Sequence, residues 1–321
     1  MPLVSVVIPT RRRPDLLARA VATVLEQTVA DLEVIVVIDG EDPETLARLA
    51  SIGDTRLRYQ VNPTPLGSGP ARNVGARLAT GDWIAFLDDD DEWLPTKLER
   101  QLAPALSRTG PVLVSCQSAF ITPLGTSIRP REIFDGRMSI DEWLFDRRQL
   151  FGGQSFIQTS SLLLSKALFD QRDFPTHSQH EDWEFVIDLV KRLNVELITI
   201  PEILVRHYAE EVRPSLSSNG QLQGSISWIT KMRGLVSKRA YSGFCLTVIA
   251  HQARRVGGRR EFATLLRLAF RYGRPTLVQL VVFFMVWTVP TGLHQALRRR
   301  RPPAPSSSEE SVAAVQGHAA S

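Results

Sequence analysis

The strongest constraint on this chain is a pair of short, almost wholly apolar runs, Leu3-Val4-Ser5-Val6-Val7-Ile8 and Leu32 to Ile38, with one helical segment between them. Runs of this length and composition match strands covered on both faces, as in a parallel sheet. After Pro14 in a first-turn position, Leu16, Leu17, Ala20, Val21, Val24 and Leu25 recur at helical spacing within Asp15 to Gln27. Leu57 to Val61 and Trp83 to Leu87 read as a third and a fourth strand, with a helix from Ala71 to Ala79 introduced by Gly67-Ser68-Gly69. The expected class is α/β, an open sheet flanked by helices, whose ligands sit beyond the carboxyl ends of the strands.

Val112 to Ile121 and Ser155 to Ser165 look like further strands, and Glu181 to Leu193 is an amphipathic helix. After about residue 220 strand signals vanish. Charge divides at the same place. The formal net charge is +4, yet residues 1–230 carry 23 basic against 31 acidic side chains, while 231–301 hold 15 basic residues and one acid, Glu261. The chain thus reads as an acidic α/β domain over 1–220, a helical basic and apolar region over 221–301, and a disordered Pro/Ser/Ala tail over 302–321. No internal repeat occurs. Cys116 and Cys245 match no metal-ligand spacing, which fits a reducing compartment. The apolar N-terminus stops at Pro9 before Arg11-Arg12-Arg13, the wrong order for a secretory signal.

Three clusters carry chemistry. Phe86-Leu87-Asp88-Asp89-Asp90-Asp91-Glu92 places an acidic run directly after a strand. Adjacent carboxylates repel, so the run calls for a compensating cation, and hard oxygen ligands suit Mg²⁺ or Mn²⁺. A solvated turn capping the helix after Pro95 has the same composition. Asp39 ends the second strand, where a carboxylate can accept from a base or ribose, or serve as an ordinary turn residue before Gly40. Arg72 and Asn73 open the helix before the fourth strand, and Arg72 can meet phosphate or a structural acid. In His180-Glu181-Asp182-Trp183, Asp182 stands at a helix N-terminus, as either a cap or a general base kept ionised by the helix dipole.

Taken together, Ser5-Val6-Val7-Ile8-Pro9-Thr10, Asp39-Gly40, Ala71-Arg72-Asn73-Val74-Gly75, Gly81 to Asp91 and Glu181-Asp182 resemble, in order and spacing over residues 3 to 210, family 2 glycosyltransferases of the GT-A fold. That resemblance implies a Rossmann-like mixed sheet and an inverting transfer by direct displacement from a nucleotide diphosphate sugar. It assigns Asp182 as the catalytic base. Pro9, Thr10 and Asp39 would hold a uracil-type base, with Arg72, Asp88 and Asp89 in further nucleotide-sugar contacts. Asp90, with Asp88 and His207, would hold Mn²⁺ or Mg²⁺. Arg213 falls with His207 where relatives close the site on the pyrophosphate. Two departures from the family pattern stand out: Ile38 replaces a frequent aspartate, and Glu41-Asp42 replaces small polar residues. No Gln-x-x-Arg-Trp follows Glu181-Asp182, which implies one sugar added per encounter.

In Glu261 to Arg274, Phe262, Leu265, Leu266, Ala269 and Phe270 form one stripe and Arg267, Arg271 and Arg274 another. This suits a helix lying in an anionic membrane interface. Pro275 to Leu297 contains no charged residue, but Pro290, Gly292 and His294 weaken its end and Arg298 to Arg301 follow it. Arginine on both flanks favours an interfacial or re-entrant segment over a span, at the cytoplasmic face. A cut near Ser225 is therefore expected to release the protein from membranes and leave the donor site intact. The acidic front and the lack of an aromatic-basic RNA motif argue against nucleic acid. The expected partners are a nucleotide-sugar donor, a saccharide or lipid-linked acceptor and an anionic membrane surface. Rival readings are another nucleotide-sugar or nucleotidyl enzyme, which the missing G-x-G-x-x-G and P-loop motifs disfavour, and a silent sugar-nucleotide binder, which the intact acids disfavour.

Overall fold

A computed structural model describes residues 3–123, 125–150, 155–176, 179–208, 222–256 and 258–288. The front of the chain runs β1 (Val4–Thr10), α1 (Pro14–Leu25), β2 (Leu32–Asp39), α2 (Pro43–Ala50), β3 (Leu57–Asn62), α3 (Ser68–Leu78) and β4 (Trp83–Phe86). Next come β5 (Asp91–Trp93), α4 (Lys97–Leu106), β6 (Val112–Thr122), β7 (Gly125–Arg129), α5 (Ile140–Phe145), β8 (Leu163–Ser165), α6 (Lys166–Phe169), α7 (Glu181–Arg192) and β9 (Glu196–Tyr208). The rear is helical: α8 (Leu222–Lys231), α9 (Lys238–Gly243), a π-helical turn at Phe244–Val248, α10 (Ala250–Val256), α11 (Arg259–Tyr272) and α12 (Leu277–Thr288).

Among the described residues nine strands form one mixed sheet in the order β3-β2-β1-β4-β8-β6-β9-β5, with β7 also paired to β6. β1 to β4 are parallel, so the ends of β1, β2 and β4 open onto one edge. Every residue of β1 is buried, as its apolar run requires. Helix α3 lies so close to the sheet that a Cβ on Gly75 would stand 2.4 Å from Val7 Cγ1. That contact explains glycine in Ala71 to Gly75.

Two segments depart from the sequence-based expectation. The strand expected over Ser155 to Ser165 is only β8, because Thr159–Ser161 forms a buried turn whose polar groups bond within the turn and to Trp93 and the acidic run. Ser161 Oγ donates to the Gln158 carbonyl at 2.7 Å, and Trp93 Nε1 donates to the Ser160 carbonyl at 2.9 Å. The acidic run does not end in a turn either. Its last aspartate opens β5 and pairs antiparallel with His207 of β9.

The rear helices pack against the front. Trp228, Ile229, Met232, Tyr241, Phe244, Leu265, Ala269, Phe283 and Val286 share one buried cluster with Phe145, Phe185 and Leu189. Trp228 Nε1 and Lys231 Nζ each donate to Glu184 of α7 at 2.8 Å. A Cβ on Gly243 would stand 2.1 Å from the Phe145 carbonyl oxygen. These contacts tell against the expected clean cut near Ser225, since the rear supplies the wall behind α7. Most of the α11 stripe assigned to the membrane is also spent inside, with Leu265 and Ala269 at 0% exposure and Phe262 and Leu266 packed on the same cluster, while Phe270 stays outside at 59% exposure. Among the described residues no helix is long and apolar enough to cross a membrane. Arg213, Pro290, Gly292, His294, Arg298 to Arg301 and the tail over 302–321 lie outside the described residues.

Candidate active site

The parallel strands deliver their ends to one crevice, and the acids there are held by protein cations and hydroxyls. Thr10 Oγ1, at the end of β1, donates to Asp89 Oδ2 at 2.7 Å. Arg13, at the N-terminal end of α1, reaches Asp89 Oδ1 at 3.0 Å and Asp90 Oδ2 at 3.2 Å. Arg72, only 4% exposed, pairs Asp88 Oδ1 at 2.5 Å through one terminal nitrogen and Glu181 through the other. Its face lies over Phe174. Burial alone would lower its pKa, but Asp88 and Glu181 raise it above the ordinary value. Thus Arg72 ties the acidic turn to the first turn of α7 and has no terminal nitrogen left over.

Asp91 is buried beneath the turn. Ser160 Oγ and Gln158 Nε2 both donate to its Oδ2 at 2.5 Å, and His207 Nδ1 lies 2.6 Å from its Oδ1. Ser160 Oγ also accepts from the backbone N–H of Asp88 at 3.0 Å, so one hydroxyl holds both ends of the four-acid run. Burial pushes the Asp91 carboxyl up, against the pull of His207. For His207 burial works downward, but the hydrogen bond and charge of Asp91 carry its pKa above the ordinary imidazole value. Burial also pushes Asp89 up to about 6 despite Arg13.

Asp39 organises the loop that follows β3. It accepts from Asn62 Nδ2 at 3.0 Å and from the N–H groups of Leu66 at 2.8 Å and Gly67 at 2.9 Å. A carboxylate offers about four acceptor positions, so about one remains, on Oδ2. Pro9 sits within β1, paired in register with Val37. Asn73 anchors the opposite wall by exchanging two 2.9 Å bonds with the backbone of Phe174.

Asp182 stands in the first turn of α7, half-buried, close enough to Glu181, Arg72 and Asp88 to feel their charges. Burial pushes its carboxyl up to about 7, opposed by a hydrogen bond from the Trp183 N–H at 2.8 Å. This corrects the expectation that the helix end keeps it firmly ionised. A helix terminus contributes on the order of 0.3–1 kcal/mol, less than the roughly 1.4 kcal/mol that moves a pKa by one. Desolvation therefore wins, and the result is a carboxylate poised near neutrality, where a general base works best.

The structure brings Thr10, Arg72, Asp88, Asp89, Asp90 and Asp182 together around this crevice, with His207 behind it through Asp91. Among the described residues no three His, Cys, Asp or Glu side chains form a metal-holding group. A cleft of about 380 Å³ lined by Phe134, Met138, Val190 and Leu197 contains none of these residues. Sequence reasoning missed Arg13, Gln158 and Ser160. Arg13 carried a signal, as the last of three arginines directly after a strand. The other two carried none, because polar residues inside an expected strand announce no partner.

A sequence profile for glycosyl transferase family 2 matches residues 5–172, more than half of the chain. The chain belongs to glycosyl transferase family 2. This glycosyltransferase is similar to an amylovoran biosynthesis glycosyltransferase, AmsB of Erwinia amylovora, with 26% identity over 73% of this chain and 79% of the relative. It is also 34% identical to WfgD of Escherichia coli, a UDP-Glc:alpha-D-GlcNAc-diphosphoundecaprenol beta-1,3-glucosyltransferase, over 32% of this chain. That match spans only 41% of WfgD. Its fold is that of the mannosyltransferase PcManGT of Pyrobaculum calidifontis, solved with GDP-Man and Mn²⁺, with TM-score 0.51, 17% identity, and coverage of 99% of this chain and 80% of that one.

Proposed function

We propose that this glycosyltransferase moves one sugar per encounter from a nucleotide diphosphate donor of uridine type to a saccharide or lipid-linked acceptor. The transfer inverts the anomeric centre and serves surface polysaccharide or glycolipid synthesis. The observation that carries the reading is the Arg72 tie, which holds the acidic turn and the helix bearing Asp182 against one another across one crevice. In the proposed step Asp182 accepts the acceptor hydroxyl's proton as that oxygen bonds to the anomeric carbon. The carbon–oxygen bond to the diphosphate breaks, and its electron pair leaves with the diphosphate. The names of AmsB and WfgD support this substrate class.

The remaining acceptor position on Asp39 suits one base N–H, beside Pro9 and Thr10. Asp88 and Asp90 keep side chains 27% and 26% exposed, and their hard oxygens fit Mn²⁺ or Mg²⁺. Such ions are commonly held by one or two carboxylates with substrate phosphates completing the shell, which suits a site where, among the described residues, no three His, Cys, Asp or Glu side chains form a metal-holding group. When bound, the cation neutralises the departing diphosphate. His207 could join only through Nε2, since Nδ1 lies against Asp91. The proposal also puts the enzyme at the cytoplasmic face of an anionic membrane, where a lipid-linked acceptor is presented.

Purified protein incubated with a panel of nucleotide sugars, with Mn²⁺, Mg²⁺ or chelator, tests the reading. Release of nucleoside diphosphate from a uridine donor, dependent on cation and acceptor, is expected. Release of pyrophosphate, or no product from any donor, would favour the nucleotidyl or the silent-binder reading.

A further inference from the structure

Helix α12 is built inside out. Gln279, its polar side chain at the start, points inward with no exposed surface, bonding Asp146 at 2.8 Å, Ser242 at 2.9 Å and the Arg239 carbonyl at 3.2 Å. Val282, Phe283 and Val286 share that inner face. Outward stand Leu277, 77% exposed, and Phe284, 46% exposed, with half-buried Val281 between them. Their spacing of four and three residues makes one stripe. A helix bordering water turns its polar residues out; this one turns its amide in and leaves leucine and phenylalanine outside.

The neighbouring surface is cationic. Phe262 of α11 meets Phe284 with ring centroids 5.8 Å apart, so the two helices adjoin at this face. Outward on α11 are Arg259, Arg260, Arg267 and Arg271, followed by Arg274, all exposed, together with Phe270 at 59% exposure. The one acid, Glu261, accepts from the Gly258 N–H at 2.7 Å and caps the helix. An apolar stripe rimmed by arginines fits an anionic bilayer, in which the apolar groups leave water and the guanidinium groups meet headgroup phosphates.

We propose that the outer face of α12, with Leu277, Val281 and Phe284 at its centre and the α11 arginines at its rim, seats on an anionic lipid surface. The helix lies in the plane of that surface. The inference rests on the membrane-bound reading above and moves it to a different surface, because the apolar stripe of α11 that suggested a membrane is, Phe270 apart, packed inside the protein. The twelve described residues of α12 make a helix about 18 Å long, less than the thickness of a bilayer but long enough to lie along one.

The test is flotation of the full-length protein with vesicles of phosphatidylcholine alone or mixed with phosphatidylglycerol. The wild type should float with the mixed vesicles and far less with phosphatidylcholine alone. Leu277→Asp and Phe284→Asp should each cut flotation on the order of tenfold or more, since each places a charge where an apolar side chain entered the interface. Leu106→Asp, on the exposed side of α4, should leave it unchanged. Leu277 is largely exposed, so its variant should melt close to wild type, while Phe284, 46% exposed and set against Phe262 and Phe283, should lose some stability on substitution. Should either variant unfold, an Arg267→Gln/Arg271→Gln variant gives the second reading, with weaker flotation at low salt. Equal flotation of wild type and the α12 variants would overturn the assignment of this face. So would a wild-type dimer that Leu277→Asp dissociates without changing flotation. Failure of the wild type to float overturns the membrane reading as well, while transfer to a soluble acceptor, assayed alongside, reports separately on the enzyme.

Discussion

Changing the pH from 8 to 6 should cost this enzyme close to a factor of ten in kcat/KM, because burial holds the Asp182 carboxyl at about 7. A base at that value is roughly nine-tenths ionised one pH unit above it and one-tenth ionised one unit below, so competent enzyme falls about ninefold. The kcat/KM profile reports the free enzyme, the state described by these contacts. The assay is initial-rate release of nucleoside diphosphate at subsaturating donor, saturating cation and constant ionic strength. Stability should respond in the opposite sense. The folded-state value lies above the ordinary 3.8, so ionisation of Asp182 weakens the fold as pH rises from about 4 to about 7. Asp182→Asn should therefore raise the melting temperature of the donor-free protein at pH 8 and leave it unchanged at pH 4. A profile flat from pH 6 to 8, with no gain in stability for the asparagine variant, would refute the burial argument.

Two further outcomes follow from the contacts. Asp90→Asn should weaken uridine diphosphate binding in the presence of Mn²⁺ and abolish its sensitivity to chelator, as measured by titration calorimetry; unchanged affinity would remove Asp90 from the cation site. Trp228→Ala should cost roughly 3–5 kcal/mol in denaturant unfolding, since it empties a buried position behind α7 and removes one of the two donors to Glu184; a loss under about 1 kcal/mol would show the rear to be separable after all.

The parallel half of the sheet was legible because burial on both faces leaves a continuous apolar signature, and β1, β2, β3 and β4 each end within two residues of the expected place. The short antiparallel strands β5 and β7 were not, and β8 was expected too long, since three to five residues carry no periodicity. Asp39, Asp88 and Asp182 could be singled out because each stands beside an element boundary; Arg72 was expected to open a helix, but α3 already begins at Ser68 and Arg72 lies within it. What each one touches could not be read. Asp39 holds a loop 23 to 28 residues downstream, and Arg72 joins Asp88 to Glu181 across 109 residues of chain. The amphipathic pattern of α11 was real, but amphipathicity says only that one face leaves water. Here that face meets α9, α10 and the π-turn and, through Phe262, α12, while most of the outward apolar surface belongs to α12, whose uniform composition hides which side is which.

The most direct test of the account is the turnover of Asp182→Asn with donor affinity measured on the same preparation. If this carboxylate takes the acceptor proton, the variant binds donor and cation as the wild type does, and transfer falls by about 10² to 10⁴. Near-normal turnover with unchanged donor affinity would leave Asp182 as a helix-capping carboxylate and contradict the site proposed here.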